Sequence, residues 1–152
     1  MSGYSEQMRT FLKAGKFAVV GASADRSKWG NKVLRWYQDR SLAVTPVNPT
    51  ATEIEGLKAV PNASELPDLA NTSISVIVNP KLTLAMLQAL FSRDPSTFPK
   101  AIWLQPGTED AHVQDFVKEK GVQDRMVMGG ACILVSGDGV RQELGMDGKG
   151  KL

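Results

Sequence analysis

The run Phe17-Ala18-Val19-Val20-Gly21-Ala22-Ser23 limits this chain more than any other stretch. Its first four residues are apolar without alternation, which fits a strand covered on both faces, as in a parallel sheet between helices. Gly21 then permits a sharp turn at the strand's carboxyl end. The loop that follows, Ala24-Asp25-Arg26-Ser27-Lys28-Trp29-Gly30-Asn31-Lys32, carries three cations and leads into a helical pattern. A strand, a small-residue turn, a basic loop and a helix start together make a place for an anion. Unpaired N–H groups at a helix start point toward such a ligand, and Arg26, Lys28 and Lys32 supply positive charge. The expected ligand is a phosphorylated nucleotide.

The rest of the chain alternates strand and helix. Tyr4, Met8, Phe11 and Leu12 fall at helical spacing, predicting a helix from Ser5 to Ala14 that stops at Gly15. Residues 16–22, 42–47, 73–78, 101–104 and 125–128 read as five strands. Helices are expected from Gly30 to Arg40, from Pro80 to about Arg93, and after Thr108, read as an N-cap with Glu109 and Asp110 in the first turn. Gly121 ends that last helix. Residues 54–60 read as a short strand or extended loop, 62–67 as a turn with a brief helical piece, and the segment from Gly129 onward as Gly-rich. This alternation implies an α/β fold: a doubly wound, mainly parallel five-stranded sheet with helices on both faces, a Rossmann-like arrangement. Residues 1–144 are expected to form one domain, with 145–152 a flexible Gly/Lys tail.

Composition excludes several classes. A net charge of +2 over 152 residues is too small for a nucleic-acid binder. No apolar run is long enough to span a bilayer, and the first residues do not read as a secretory signal. The single cysteine, Cys132, has no internal disulfide partner, so nothing calls for an oxidising compartment. A cytoplasmic location is expected ahead of the mitochondrial matrix. The oligomeric state stays open, with a homodimer or an unidentified protein partner both compatible with the sequence.

Ligands of open α/β sheets lie beyond the carboxyl ends of the strands. The residues expected there are Gly21-Ala22-Ser23, Asn48-Pro49, Asn79-Pro80, Gln105-Pro106-Gly107 and Gly129-Gly130-Ala131-Cys132, and none of these turns offers a carboxylate. An NAD site favours G-x-G-x-x-G and an acid after the second strand. Here Gly21 and Gly30 stand nine apart and the second strand ends in neutral Asn48. A ligand with more phosphate charge near its ribose suits Arg26, Lys28 and Lys32 better; coenzyme A is one, NADP the alternative.

Taken together, Val20-Gly21-Ala22-Ser23, Lys28-Trp29-Gly30-Asn31-Lys32-Val33, Pro46-Val47-Asn48-Pro49, Ile54-Glu55-Gly56 and Trp103-Leu104-Gln105-Pro106-Gly107 resemble the small stand-alone CoA-binding domain proteins. These are similar in turn to the amino-terminal domain of the succinyl-CoA synthetase alpha subunit. The resemblance spans roughly Lys16 to Val135. It implies CoA held on the first loop, with Ser23, Lys28 and the post-strand turns lining the site. Members often carry an arginine-cysteine-proline element after the last strand; here Gly130-Ala131-Cys132-Ile133 agrees only at the cysteine. The synthetase's phosphohistidine lies in a further domain, so its ligase chemistry does not carry over.

Catalytic parts are scarce. His112 reads as a surface residue, and one histidine with one cysteine makes neither a zinc site nor a nucleophile-base pair. Glu53 and Glu55 are not read as an acid/base pair. Trp29 is expected to pack against the first helix, or else to stack on an adenine or cover the loop; Trp36 and Trp103 belong to the core. The expected function is binding of CoA or an acyl-CoA by a module without catalysis of its own, a metabolic sensor or carrier, with an NADP-dependent oxidoreductase as the alternative. In that reading the phosphates meet Gly21, Ala22, Ser23 and Gly30, the adenosine runs toward Asn48, Pro49, Asn79 and Pro80, and the thiol reaches toward Gln105, Pro106, Gly107 and Cys132.

Overall fold

A computed structural model describes residues 4–146; of the expected 145–152 tail, residues 147–152 lie outside them. The five expected strands form one parallel sheet: β1 (Lys16–Val20), β2 (Ala43–Val47), β5 (Thr72–Val76), β6 (Ala101–Leu104) and β7 (Met126–Val127). Their spatial order is β2-β1-β5-β6-β7, with β3 (Glu53–Ile54) and β4 (Leu57–Lys58) forming a separate antiparallel hairpin. Val20 stands level with Val47 on one side and Val76 on the other, so three strands end at one rim.

Alternate side chains of each strand feed opposite layers. Phe17 and Val19 face α1 (Glu6–Leu12), α2 (Trp29–Asp39) and α5 (Ile133–Glu143), joining Phe11, Trp36, Tyr37, Trp103 and Val140 in a largely aromatic core. Ala18, Ile74, Val76 and Ile102 face α3 (Pro80–Leu90) and α4 (Ala111–Lys120), meeting Leu87, Leu90, Val113 and Val117 in an aliphatic one. The two layers make the doubly wound, Rossmann-like fold that the alternation predicts. Trp36 and Trp103 are buried, and the Trp103 indole N–H donates to the Ala131 carbonyl at 3.0 Å.

Two expectations change. The Gly-rich stretch after Gly129 becomes helical from Ile133, and that helix, α5, completes the aromatic layer. Thr108 does not cap α4; Asp110 does, accepting from the Val113 N–H at 3.0 Å. Thr108 is instead buried in the turn Gln105-Pro106-Gly107-Thr108, its N–H and hydroxyl both donating to the Gln105 carbonyl. Proline second and a positive-φ glycine third are the signature of a type II turn, and Gly107 has φ 87°.

Candidate functional site

After β1 the chain crosses to β2 on one side, and β5 later enters on the other. Strand order therefore reverses between β1 and β5, and a crevice opens beyond their carboxyl ends. Gly21 turns the chain there with φ 97°, and a Cβ added to it would stand 2.7 Å from the Ile77 carbonyl oxygen. A Cβ on Gly30 would overlap the Gly21 carbonyl oxygen. The start of α2 is thus pressed directly onto the β1 turn. These two glycines, nine apart, achieve the close helix-to-strand approach for which dinucleotide folds use a tighter glycine spacing.

The loop between them is held by its own polar groups. Ser23 Oγ accepts from the Asp25 N–H at 3.1 Å, which leaves the hydroxyl proton free to be donated. Asp25 accepts from the N–H and hydroxyl of Ser27, and these bonds lower its pKa. Lys28 occupies the N-cap of α2 with no side-chain cap, so no side chain takes up the first N–H groups of the helix, whose first residues line a hollow at the rim.

Beneath the loop lies fully buried Asn31. Its amide donates to the Ser23 carbonyl at 2.8 Å and to Glu55 at 2.9 Å, while its oxygen accepts from Arg35 at 2.6 Å. Glu55 sits in the two-residue β3–β4 turn, where Glu55 and Gly56 have φ 51° and 78°. Both positive values suit a type I′ hairpin turn. From there its carboxylate receives the Arg26 guanidinium at 2.8 and 3.2 Å. The Arg26 bond first and the Asn31 amide second hold the Glu55 carboxyl at about 2. The rim's turns carry no carboxylate, but Glu55 brings one to the loop from the hairpin. Glu109 brings another, accepting from the Gly129 N–H at 2.9 Å.

Three hollows lie side by side along the rim and share lining residues. A cradle of about 610 Å³ lies over Gly21, Ala22, Ser23, Ser27, Lys28 and Gly30. Gly21, Asn48 and Val78 lead from it into a more apolar groove, also about 610 Å³, between Val47, Pro49 and Pro61 on one wall and Leu82, Ala85 and Met86 of α3 on the other. In the other direction Trp29 and Ile77 lead into a cavity of about 250 Å³ completed by Gln105, Pro106 and Cys132. Gly21, Ala22, Ser23, Lys28, Trp29, Gly30, Asn48, Pro49, Gln105 and Cys132 are thereby brought into one trough.

The remaining sequence candidates stand differently. Arg26 is engaged by Glu55, and Lys32 places its ammonium 4.6 Å from the centre of the Trp29 ring; neither lines any of these three hollows, so Lys28 is the loop cation that lines the cradle. Asn79 caps α3 by accepting from the Leu82 N–H, and Pro80 is the first residue of that helix; α3 reaches the groove through Leu82 and Met86 instead. The Asn48 side chain is taken up locally, donating to the Ala22 carbonyl and accepting from the N–H groups of Thr50 and Ala51. Gly107 serves the type II turn. Trp29 does not pack on the first helix: it is 63% exposed, at the mouth of the small cavity. Pro106, expected at the rim, lines the small cavity, and Ile77, Val78 and Met86 also line the hollows, although sequence reasoning gives those three no part in the site. They are apolar, and nothing in a strand-end or helix pattern distinguishes a lining residue from a core one.

A small Rossmann-like domain with adjoining hollows at the switch point, and glycines pressed against the first turn, belongs to the class of nucleotide-cofactor-binding domains. Residues 15–138 match the family described as CoA binding domain, and the chain belongs to that family. YneT of Bacillus subtilis (strain 168), described as an uncharacterized protein, is 29% identical over 124 residues, spanning 82% of this chain and 86% of YneT. A conserved hypothetical protein of Pyrococcus furiosus is 35% identical, with a TM-score of 0.69 over 80% of this chain and 97% of that one. A hypothetical protein of Pyrococcus horikoshii OT3 is 26% identical, with a TM-score of 0.72 over 93% of both chains. Among the described residues no helix is long and apolar enough to cross a membrane, and no group of three or more His, Cys, Asp or Glu is placed to hold a metal.

Proposed function

We propose that this chain binds coenzyme A, free or acylated, along the trough as a module that senses or carries it without catalysing its chemistry. The observation that carries this reading is the adjacency of the three hollows, which share Gly21, Asn48 and Val78 at one end and Trp29 and Ile77 at the other. CoA has the same sequence of parts: a flat base, a polyanionic middle and a thin arm ending in sulfur. The pyrophosphate suits the cradle, where Gly21 lets the backbone come close, Ser23 donates its hydroxyl, Lys28 gives charge, and the uncapped start of α2 offers N–H groups. The adenosine suits the apolar groove beside Pro49 and Met86, and the arm passes Trp29 and Ile77 toward Cys132.

Binding without chemistry is favoured by the cavity that would hold the thiol. Its lining residues, Trp29, Ile77, Gln105, Pro106 and Cys132, include no charged acid or base. His112 is exposed on α4 and lines none of the three hollows.

Calorimetric titration with CoA, dephospho-CoA, NADP and NAD tests the reading. CoA should bind, dephospho-CoA more weakly, and NADP and NAD weakest. Failure of CoA to bind, or binding of NADP as tight as CoA, would overturn it.

A further inference from the structure

Resting on the CoA reading, we infer that the small cavity at the far end of the trough is built for the acyl group of a short, uncharged acyl-CoA. The walls are the indole of Trp29, the side chains of Ile77 and Pro106, and the sulfur of Cys132. No charged side chain lines it, so a carboxylate on the acyl group would be desolvated there without a partner, at a heavy cost. Lys32 sits on the Trp29 ring, outside the lining.

Gln105 forms a fixed wall of the cavity. This side chain is buried, at 6% exposed, and bonded at both ends, its oxygen accepting from the Ile133 N–H at 2.9 Å and its amide donating to Cys132 Sγ at 3.2 Å. A chain longer than a few carbons would have to break that clasp between β6 and α5. At the mouth, Trp29 is a large apolar side chain left 63% exposed. A bare thiol covers little of it, whereas each added methylene buries apolar surface on both partners. The thioester stays intact, since only burial and exclusion of water are involved.

The test uses the full chain, with calorimetry and Trp emission, and CoA, acetyl-CoA, butyryl-CoA, succinyl-CoA and palmitoyl-CoA as ligands. Affinity should rise from CoA through acetyl-CoA to butyryl-CoA, by about fourfold for each methylene buried. Succinyl-CoA should bind more weakly than butyryl-CoA by at least about tenfold, and palmitoyl-CoA no tighter than butyryl-CoA. In Trp29→Ala the butyryl-to-CoA affinity ratio should fall toward one, whatever happens to CoA itself. A flat acyl series in a protein that does bind CoA, or a preference for succinyl-CoA or palmitoyl-CoA, overturns the acyl-pocket inference alone. Binding of none of the five overturns the CoA reading beneath it.

Discussion

Glu55 changes what the loop's charges can do. Arg26, Lys28 and Lys32 read in sequence as three cations aimed at one anion, but Glu55 neutralises the first and the Trp29 ring engages the third. Nothing in the sequence marks a residue 29 positions away as the partner of Arg26, because a hairpin turn brings it there. Glu55→Gln should speed amide hydrogen exchange across residues 23–28, since the carboxylate ties both Arg26 and Asn31 to the hairpin. Its pKa is lowered in the folded state to about 2, so its contribution to stability is complete above the ordinary carboxylate range and is lost as pH falls from there toward about 2. Asp25, Asp68 and Asp138 are lowered as well, so both proteins weaken in acid. The drop in urea midpoint between about pH 6 and pH 3 should nevertheless be smaller for Glu55→Gln than for the wild type. Gly30 supports a sharper prediction. Gly30→Ala forces a methyl group against the Gly21 carbonyl oxygen, so unfolding free energy should fall by about 1–3 kcal/mol and the cradle should lose affinity for CoA.

Among the secondary-structure elements, the five strands and the first four helices are legible because their apolar periods and end signals agree with their tertiary surroundings. The fifth helix is not. Glycine in a helix interior costs about 1 kcal/mol relative to alanine, so Gly137 and Gly139 in Ile133–Glu143 argue locally against one. Packing overrides that local preference. A Cβ on Gly137 would overlap the Trp36 ring, and one on Gly139 would overlap the Tyr4 hydroxyl. Only glycine lets α5 lie this close to α2 and to the chain's start. Arg40 reinforces the contact, pairing with Asp138 at 2.6 and 2.7 Å while stacking 4.4 Å from the Trp36 ring centre. Gly137→Ala, normally helix-favouring, should therefore destabilise the protein by about 1–3 kcal/mol in denaturant unfolding. The displacement of Thr108 by Asp110 as cap of α4 has a similar origin. Both side chains can cap a helix, but the type II turn at Gln105 engages the Thr108 hydroxyl and leaves Asp110 to do it.

For the molecule as a whole, the switch point follows from strand order, in which β1 lies between β2 and β5. The turns at the strand ends, Pro106 among them, are readable from the alternation, whereas Ile77, Val78 and the α3 side chains that line the hollows depend on packing that no single stretch of sequence encodes. If CoA binds the folded state only, a hundredfold excess over its Kd should stabilise the protein by about 2.7 kcal/mol, seen as a rise in Tm. That gain should shrink as salt is added, because Lys28 is exposed and screened. The division of aromatic and aliphatic side chains between the two layers has an optical consequence. All three indoles, Trp29, Trp36 and Trp103, belong to the layer of α1, α2 and α5 or to the edge of it, while α3 and α4 pack against aliphatic neighbours and the rings of Phe91 and Phe98. Emission spectroscopy is therefore blind to one half of the sandwich, and a melt in which circular dichroism departs from fluorescence would report that half coming loose first.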